Sequence, residues 1–367
     1  MTSGPLAGVR VIEMAGQGPV PFAGMLLADM GADVALITRP GAADTADRVT
    51  MRGRRIVPLD LGDPEAREVA LDLIASADVL MEGFRPGTME RIGLGPDVGL
   101  SRNPGLVYAR MTGWGQDGPL SDAAGHDINY IAVAGALGAI GRQGSPPSIP
   151  LNLVGDFAGG SLYLLYGITC ALIERSRSGR GQVVDAAMVD GVVNLLSMFH
   201  WASSRGEYDD VRGTHRLDSG AFFYDVYETA DGEYMAVGCI EPKFYRSFCA
   251  ALGLTGPYWE RAQSDVAGWS ERRQELAEIF RARTREEWIT VFETVDACVT
   301  PVLRLSEVPH NRHVQERRIF VRTDRGLVAR AAPRLSRTPG TTQTAARGGL
   351  KELLADWGLA APRDASV

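Results

Sequence analysis

The sequence predicts an α/β protein in which a parallel sheet is followed by a smaller α+β region. Strand-like apolar runs alternate with helical apolar patterns from about residue 9 to residue 203, an order typical of a parallel sheet. The opening shows it most clearly, with a strand, a glycine-rich turn, a helix and a second strand over residues 9–14, 15–21, 22–30 and 32–38. Further along, Asp231-Gly232 separates two aromatic-rich runs, which is a strong hairpin signal.

The remaining elements follow from the same patterns. Asp63 is expected to cap a helix that begins at Pro64, because aspartate favours the N-cap and proline the first helical position. Asp156 is expected at the start of a long helix that ends near Arg175. Further strands are predicted over residues 79–81, 106–111, 182–187, 221–228, 233–240 and 299–305, and further helices over 189–203, 242–252, 270–293 and 350–357.

Length and charge limit the number of domains and the kinds of partner. A chain of 367 residues is long enough for two domains. We predict a large domain over 1–200 and 320–367, a small domain over 216–312, and linkers over 201–215 and 313–319. The net charge of −7 is not the global basic footprint of a nucleic-acid-binding protein, so an anionic ligand would need a local basic site.

Cysteine spacing and the lengths of apolar runs indicate the cellular compartment of the protein. The four cysteines form no C-x-x-C pair, and the N-terminus lacks a basic segment followed by an apolar one. The longest nearly apolar run, residues 161–173, is too short to span a bilayer. We therefore expect a cytoplasmic protein with reduced cysteines and no membrane span.

A glycine turn and an arginine indicate a phosphorylated ligand. Gly16-Gln17-Gly18 follows a strand and precedes a helix, as in a dinucleotide-binding fingerprint, but Pro21 stands where that fingerprint has its third glycine. Arg39, at the end of the second strand, would suit a phosphorylated ribose, which NADP and coenzyme A both carry. A tight turn with a solvated arginine is the alternative interpretation.

More arginines lie in or near the connections that follow strands. The carboxyl ends of parallel strands form the ligand-binding edge of a sheet, so basic connections converging there would make a polyphosphate site. The arginines concerned are Arg39, Arg52, Arg54, Arg55, Arg85 and Arg91. For the cluster at residues 52–55 alone, a solvated loop is the alternative.

Two residues, His126 and Asp156, are candidates for acid–base chemistry. His126 stands between a glycine and an aspartate, so it could be a general base that its neighbour orients, or a structural histidine. Asp156 precedes two glycines and could act as acid, base or nucleophile, or could cap a helix. Glu241 follows a strand and precedes Pro242, a position typical of a helix N-terminal charge. The scattered histidines and cysteines show no metal-binding spacing.

Several motifs occur in one order along the chain: YARMTGWGQ (108–116), AGHDINY (124–130), PLNLVGDFAGG (150–160), GQVVDAAM (181–188), AVGCIEP (236–242) and DACVTPV (296–302). Together they resemble the α-methylacyl-CoA racemases of the family III CoA-transferase superfamily. The resemblance extends from about Gly4 to Pro339. It implies a Rossmann-like large domain and an interlocked homodimer, in which the small domain of one subunit meets the large domain of the other.

The resemblance implies an isomerase that moves a proton at C2 of a 2-methylacyl-CoA thioester through an enolate. His126 and Asp156 would be the acid–base groups on opposite faces of C2. Glu241 would orient His126, Asn152 would hydrogen-bond near Asp156, and Asp127 would organise the loop. An acyl-CoA is then the substrate, and neither a metal nor a redox cofactor is implied.

The resemblance also implies contacts with coenzyme A. The residues carried over are Arg39, Pro58, Leu59, Asp60, Leu61, Phe84, Arg85 and Arg91, with Gly125 and Tyr130 lining the thioester. One segment departs from the family pattern. Where racemases typically read RGxNMLDGGAP, residues 212–222 read RGTHRLDSGAF, which leaves the acyl specificity or the seating of the linker open.

Three other functions remain open from the sequence. A family III CoA transferase would use the aspartate matching Asp156 to form an acyl anhydride, and would not generally carry the histidine motif of His126. An NADP-binding oxidoreductase is disfavoured by Pro21. A non-catalytic acyl-CoA-binding protein is expected to have lost His126 or Asp156, and both are present.

Overall fold

A computed structural model describes residues 4–41, 49–324, 326–344 and 347–360. The described residues fall into two compact units: the first lies within Met1–Ala134, Leu151–Leu195 and His313–Val367, and the second within Gly135–Pro150 and Leu196–Arg312. The second unit includes residues 135–150, which the sequence prediction assigned to the large domain. Arg142 in this segment binds the Asp225 carboxylate of the same unit at 2.6 and 3.0 Å. The ranges of independently folding domains remain a prediction.

The first unit contains the parallel sheet that the sequence predicts. Its strands are β1 (Arg10–Met14), β2 (Asp33–Thr38), β3 (Arg54–Pro58), β4 (Val79–Glu82), β5 (Val107–Thr112) and β6 (Gln182–Ala187). In the part of the chain that the structure describes, these six strands form one sheet in the order β3-β2-β1-β4-β5-β6, with every neighbouring pair parallel.

The helices follow the predicted pattern with two breaks. In chain order they are α1 (Pro19–Asp29), α2 (Pro64–Ser76), α3 (Thr88–Arg91), α4 (Pro96–Arg102), α5 (Asp127–Val133), α6 (Ala136–Ala139), α7 (Leu162–Ser178), α8 (Met188–Leu195), α9 (Ser197–Ser204), α10 (Pro242–Leu252), α11 (Pro257–Glu260), α12 (Trp269–Arg281), α13 (Arg285–Phe292), α14 (Arg312–Glu316) and α15 (Leu350–Trp357). A π-helical segment, Leu153–Ser161, continues into α7. Asp63 caps α2 by accepting the Glu65 N–H at 3.2 Å, as predicted. The predicted helices over 189–203 and 270–293 are each split in two.

Apolar side chains cover both faces of the sheet. On one face, Ile12, Leu80 and Tyr108 pack with residues of α2 and α15. On the other, Val11 and Val79 pack with residues of α1 and α7. Parallel sheets are buried on both faces in this way. The carboxyl ends of the strands remain as the edge at which a ligand can bind.

The arginines at residues 52–55 are structural. The pairs are Arg52–Asp29 at 2.6 Å, Arg54–Glu13 at 2.9 Å and Arg55–Asp33 at 2.8 Å. Arg54 and its partner are fully buried. The expectation that this cluster helps bind polyphosphate is wrong, and so is the alternative of a solvated loop. β3 was not predicted from the sequence, because these arginines interrupt its apolar pattern.

The second unit is built on a small antiparallel sheet. Its strands, β7 (Tyr224–Glu228), β8 (Tyr234–Gly238) and β9 (Val299–Pro301), pair in that order. The predicted hairpin is confirmed, and Gly232 in its turn has a φ of +73°. Aromatic side chains, among them Phe223, Phe248 and Trp269, form the core of this unit. A separate antiparallel pair, β10 (Phe320–Thr323) and β11 (Gly326–Ala329), lies in the first unit.

The segment that departs from the racemase pattern, residues 212–222, is held by defined contacts within the second unit. The Asp218 carboxylate accepts three backbone N–H groups of the segment at 2.7, 2.7 and 3.1 Å. The His215 ring stacks on Tyr208 with centroids 3.8 Å apart. Phe222 is fully buried. His215 and Phe222 are therefore accommodated in the local fold, whereas Ser219 takes a left-handed φ of +74° at a position where the family pattern has glycine.

One helical stretch, Leu153–Ser178, has the length and apolar composition of a membrane span among the described residues. It consists of the π-helical segment and α7, and 33% of its most apolar window is buried. Leu164 and Ile168 on this stretch pack against the sheet. A single such helix does not by itself indicate a span, and the expectation of none remains a prediction.

Candidate active site

A cleft lies at the carboxyl edge of the sheet in the first unit. Its volume is about 550 Å³, within the usual range for small-molecule sites. The connections that follow β1, β4 and β5 contribute to its walls, which is where α/β sheets bind ligands. The sequence-predicted residues that line it are Phe84, Arg85, Gly125, His126, Tyr130 and Asp156.

His126 stands at the N-terminus of α5. Its backbone is extended, with φ −129° and ψ 174°, and its N–H donates to Asn129 Oδ1 at 3.0 Å. Asn129 thereby holds the His126 backbone, while the imidazole side chain is exposed at the cleft. Asn129 was not among the predicted site residues, although a polar residue three positions after an N-cap is the usual signal for this contact.

Asp156 lies in the first turn of a helical segment whose N-cap is Asn152, so it is next to the helix start but neither precedes nor caps the helix. The segment Leu153–Ser161 is already π-helical and runs on into α7. Such wider turns are rare and occur frequently at functional sites. Glycine allows the π-helical segment to approach α8, because a Cβ at Gly159 would lie 2.7 Å from Val192 Cγ2.

The Asp156 carboxylate is partly buried and hydrogen-bonded. Asn152 Nδ2 donates to its Oδ2 at 3.1 Å, the contact that the resemblance implies. Burial raises the pKa of Asp156; the Asn152 hydrogen bond opposes the rise, the Asp127 charge adds to it, and His126 opposes it. The net shift is upward, which brings this carboxyl closer to a range where it can both accept and donate protons.

Asp127 connects α5 to the π-helical segment. Its Oδ2 accepts the Asp156 N–H at 2.7 Å. A Cβ at Gly155 would lie 2.5 Å from that oxygen, so glycine permits the contact. The other oxygen, Oδ1, is buried without a hydrogen-bond partner among the described residues. Asp127 therefore holds the backbone that carries the Asp156 carboxylate.

The glycine turn near the N-terminus also approaches Asp156. Gly18 has a φ of +68°, which L-residues rarely adopt, and a Cβ there would lie 3.1 Å from Asp156 Oδ2. Gly18 precedes α1 and lines the cleft. The turn thus brings bare backbone close to the carboxylate.

Tyr130 forms an aromatic wall of the cleft. It packs edge-on against Trp114 with centroids 4.8 Å apart, and its hydroxyl donates to the Gly125 carbonyl at 2.5 Å. A Cβ at Gly113 would overlap the ring at 2.0 Å, so this position requires glycine. Burial raises the pKa of Tyr130, and the Asp156 charge adds to the rise, so the phenol stays neutral. Trp114 lies in a family motif but was not among the predicted site residues.

Arg85 supplies positive charge at the cleft. Among the described residues its exposed side chain forms no ion pair, in contrast to the arginines at residues 52–55. Phe84, next to it, lines the same wall and packs partly against the core. A guanidinium group without a carboxylate partner is available to bind phosphate.

The other predicted coenzyme A contacts lie outside the cleft lining. Arg39 and Pro58 are exposed where the neighbouring strands β2 and β3 end, at the same sheet edge. Asp60 is exposed and Leu61 partly so, but Leu59 is 1% exposed and packs in the core, so it presents no surface to a ligand. Arg91 is exposed on α3, where it donates to Thr88 Oγ1 at 2.8 Å. Their contacts with coenzyme A remain predictions.

Glu241 belongs to the second unit, where it is the N-cap residue of α10. His126 belongs to the first unit. The orientation of His126 by Glu241 therefore remains a prediction. Within the described ranges, no group of three or more His, Cys, Asp or Glu side chains could hold a metal ion.

Replacing Asp156 by asparagine is expected to raise the free energy of unfolding at pH 7. The folded-state pKa of Asp156 lies above its unfolded value, so ionisation of the carboxyl destabilises the fold. The gain should persist above the raised pKa, shrink as the pH falls through it, and vanish below the unfolded value of about 3.9. Urea unfolding of both proteins across this pH range measures it. A variant less stable than the wild type at pH 7 would contradict the assignment.

The fold and the cleft define the class of protein. Residues 6–348 match the sequence profile of CoA-transferase family III, and the chain belongs to this family. It is 47% identical to the alpha-methylacyl-CoA racemase of Mus musculus over 335 residues, covering 91% of this chain and 87% of the relative. It is 45% identical to the alpha-methylacyl-CoA racemase of Homo sapiens over 336 residues, with the same shares covered. The resemblance read from the motifs is thus confirmed.

A solved structure shows the same fold. A CaiB/BaiF family protein from Brucella suis superposes with a TM-score of 0.83, covering 97% of this chain and 100% of that one. The two sequences are 23% identical, so this similarity concerns the fold alone.

Proposed function

We propose that this protein is an isomerase that interconverts the two C2 epimers of a 2-methylacyl-CoA thioester. One observation carries the proposal: the His126 imidazole and the Asp156 carboxyl line the same cleft, each supported by a different segment. A C–H bond between two such groups can lose its proton to one and regain a proton from the other. The similarity to two α-methylacyl-CoA racemases supports this substrate class.

The reaction moves one proton at a time. In one direction the ionised Asp156 takes the C2 proton, and the C–H electron pair moves into the thioester to form an enolate. Protonated His126 then delivers a proton to the opposite face of the planar C2. This leaves Asp156 protonated and His126 neutral, the state that starts the reverse reaction. Exchange of these protons with solvent restores the forward state.

The protonation states explain why the Asp156 pKa matters. A carboxylate with an ordinary pKa is a weak base toward a carbon acid, and burial here raises its pKa. The contact from Asn152 keeps the carboxylate oriented at 3.1 Å. Asp127 holds the backbone of the same residue. Glu241 is proposed to orient His126 as part of the same machinery.

Coenzyme A is proposed to bind along the sheet edge. Arg85 at the cleft would pair with its diphosphate beside Phe84. Arg39, Arg91, Pro58, Asp60 and Leu61 would hold the nucleotide end. Because the net charge of the chain is −7, attraction of this polyanion depends on local arginines. Binding should therefore weaken as salt is added. No metal or redox cofactor is needed for proton transfer.

We also propose that the protein is an interlocked homodimer that acts in the cytoplasm. Helix α7 exposes Leu162, Tyr166 and Ile173 at 50%, 69% and 51%, and α9 exposes Met198 and Trp201 at 60% and 66%. Clusters of exposed apolar side chains mark interaction surfaces. A second copy covering them would agree with the dimer that the resemblance implies.

The alternative function is CoA transfer within the same family. Asp156 would then attack the thioester carbonyl, form an acyl anhydride and release CoA for a second acid. That chemistry requires the carboxylate but not a second acid–base group. The presence of His126 in the same cleft favours the isomerase.

An incubation of an (R)-2-methylacyl-CoA with a free carboxylic acid in D2O tests the two functions together. We expect epimerisation with deuterium at C2 and no CoA on the added acid. Retention of both configuration and protium would contradict the proposal. Appearance of CoA on the added acid without epimerisation would establish the transferase instead.

A further inference from the structure

We infer that Arg110, which the proposed mechanism does not use, is a positioning residue for the cleft wall that carries Arg85. This wall is the connection of residues 83–86 between β4 and α3. Arg110 lies in β5 and is 6% exposed. It does not line the cleft, so it can act only through the residues that it binds.

Arg110 joins two carboxylates at opposite ends of this connection. Its Nε donates to Glu82 Oε1 at 3.0 Å, at the end of β4. Its Nη1 and Nη2 donate to the two oxygens of Glu90 on α3, at 2.8 and 3.3 Å. The second oxygen of Glu82 accepts the Phe84 N–H at 2.7 Å. One guanidinium group therefore fixes both the start of the wall and the helix that follows it.

Burial requires the Glu82 carboxylate in this network to be paired. The Glu82 side chain is fully buried, and a buried carboxylate is costly unless it is paired. Burial raises the pKa of Glu82, whereas the Phe84 N–H and Arg110 favour its charged form. A guanidinium group can bind two carboxylates in fixed directions, which the single ammonium group of lysine cannot reproduce. Arginine at this position therefore determines the geometry of the wall.

The consequence for function rests on the proposal that the cleft takes a CoA thioester. If Arg110 no longer joins Glu82 to Glu90, the connection that carries Arg85 shifts, and the diphosphate loses its partner. His126 and Asp156 lie on other segments, at the start of α5 and in the π-helical segment. The defect should therefore appear in CoA recognition and leave proton transfer intact.

The test compares Arg110→Lys and Glu90→Gln with Arg102→Lys as the matched control. Arg102 pairs with Glu68 at 3.1 Å on the surface of the same unit, with side chains 42% and 63% exposed. Calorimetry measures the affinity for CoA itself. Deuterium exchange measures kcat and KM for a 2-methylacyl-CoA and for the corresponding pantetheine thioester, which lacks the diphosphate.

We expect Arg110→Lys to weaken CoA binding and raise the KM for the CoA thioester by about tenfold, with kcat unchanged. The pantetheine thioester should react as with the wild type. Glu90→Gln should show a smaller change in the same direction, and Arg102→Lys none. An equal loss on both thioesters, or unchanged CoA affinity in folded Arg110→Lys, would overturn the inference.

Three further outcomes also test the inference: an unfolded Arg110→Lys variant, a wild type that does not exchange deuterium, and a wild type that does not bind CoA. If Arg110→Lys does not fold, the CoA affinity of Glu90→Gln decides alone, because Glu90 is partly exposed. If the wild type binds CoA but does not exchange deuterium, the proposed function fails and the inference is judged by CoA affinity. If the wild type does not bind CoA, both are overturned.

Discussion

Replacing Asp156 by asparagine is expected to slow epimerisation by about 10²- to 10⁴-fold, the range that general acid–base groups contribute. Asparagine has nearly the same shape and can still accept the hydrogen bond from Asn152. It cannot take a proton from C2 or return one. The loss should therefore appear in kcat for both epimers. Chiral separation of the products over time measures it.

The matched control for this variant is Asp185→Asn. Burial also raises the pKa of Asp185, which accepts the Gln116 N–H at 3.2 Å but does not line the cleft. The Asp185→Asn variant should epimerise the substrate at the wild-type rate. A wild-type rate in Asp156→Asn would remove Asp156 from the mechanism.

Replacing His126 by glutamine is expected to cause a loss of similar size, about 10²- to 10⁴-fold in kcat. Glutamine keeps a polar side chain but does not ionise near neutral pH, so it cannot act as a general acid or base. The contact with Asn129 uses the His126 backbone N–H, so it should survive the substitution. The rate of epimerisation and a thermal unfolding curve together separate loss of chemistry from loss of fold.

The control here is His310→Gln, an exposed histidine of the second unit. It should leave the rate unchanged. If His126→Gln epimerises normally, the histidine is not an acid–base group. If it loses epimerisation but transfers CoA to an added acid, the transferase becomes the better description.

The sequence was most informative where one physical cause determines the outcome. Asp63 before Pro64 predicted a helix start that the structure shows, because the cap needs only local contacts. Asp231-Gly232 predicted the hairpin for the same reason. The motifs around His126 and Asp156 predicted two groups that the structure brings to one cleft, although neither segment alone indicates the other.

The features that could not be predicted depend on contacts between distant segments. β3 was missed because Arg54 is accommodated in a buried strand by contacts that include its pairing with Glu13, 41 positions away. The π-helical segment around Asp156 depends on glycines that pack closely against α8. Arg110 gave no signal of its own, since both carboxylates that it joins come from other elements.

The central claim is that two groups serve opposite faces of one carbon, and exchange in D2O without inversion measures this directly. In Asp156→Asn, His126 alone should replace the C2 proton of one epimer by deuterium with retention of configuration. In His126→Gln, Asp156 alone should do so for the other epimer. The wild type should label both epimers and interconvert them. If both variants label the same epimer, or one variant labels both, the two-group account is contradicted.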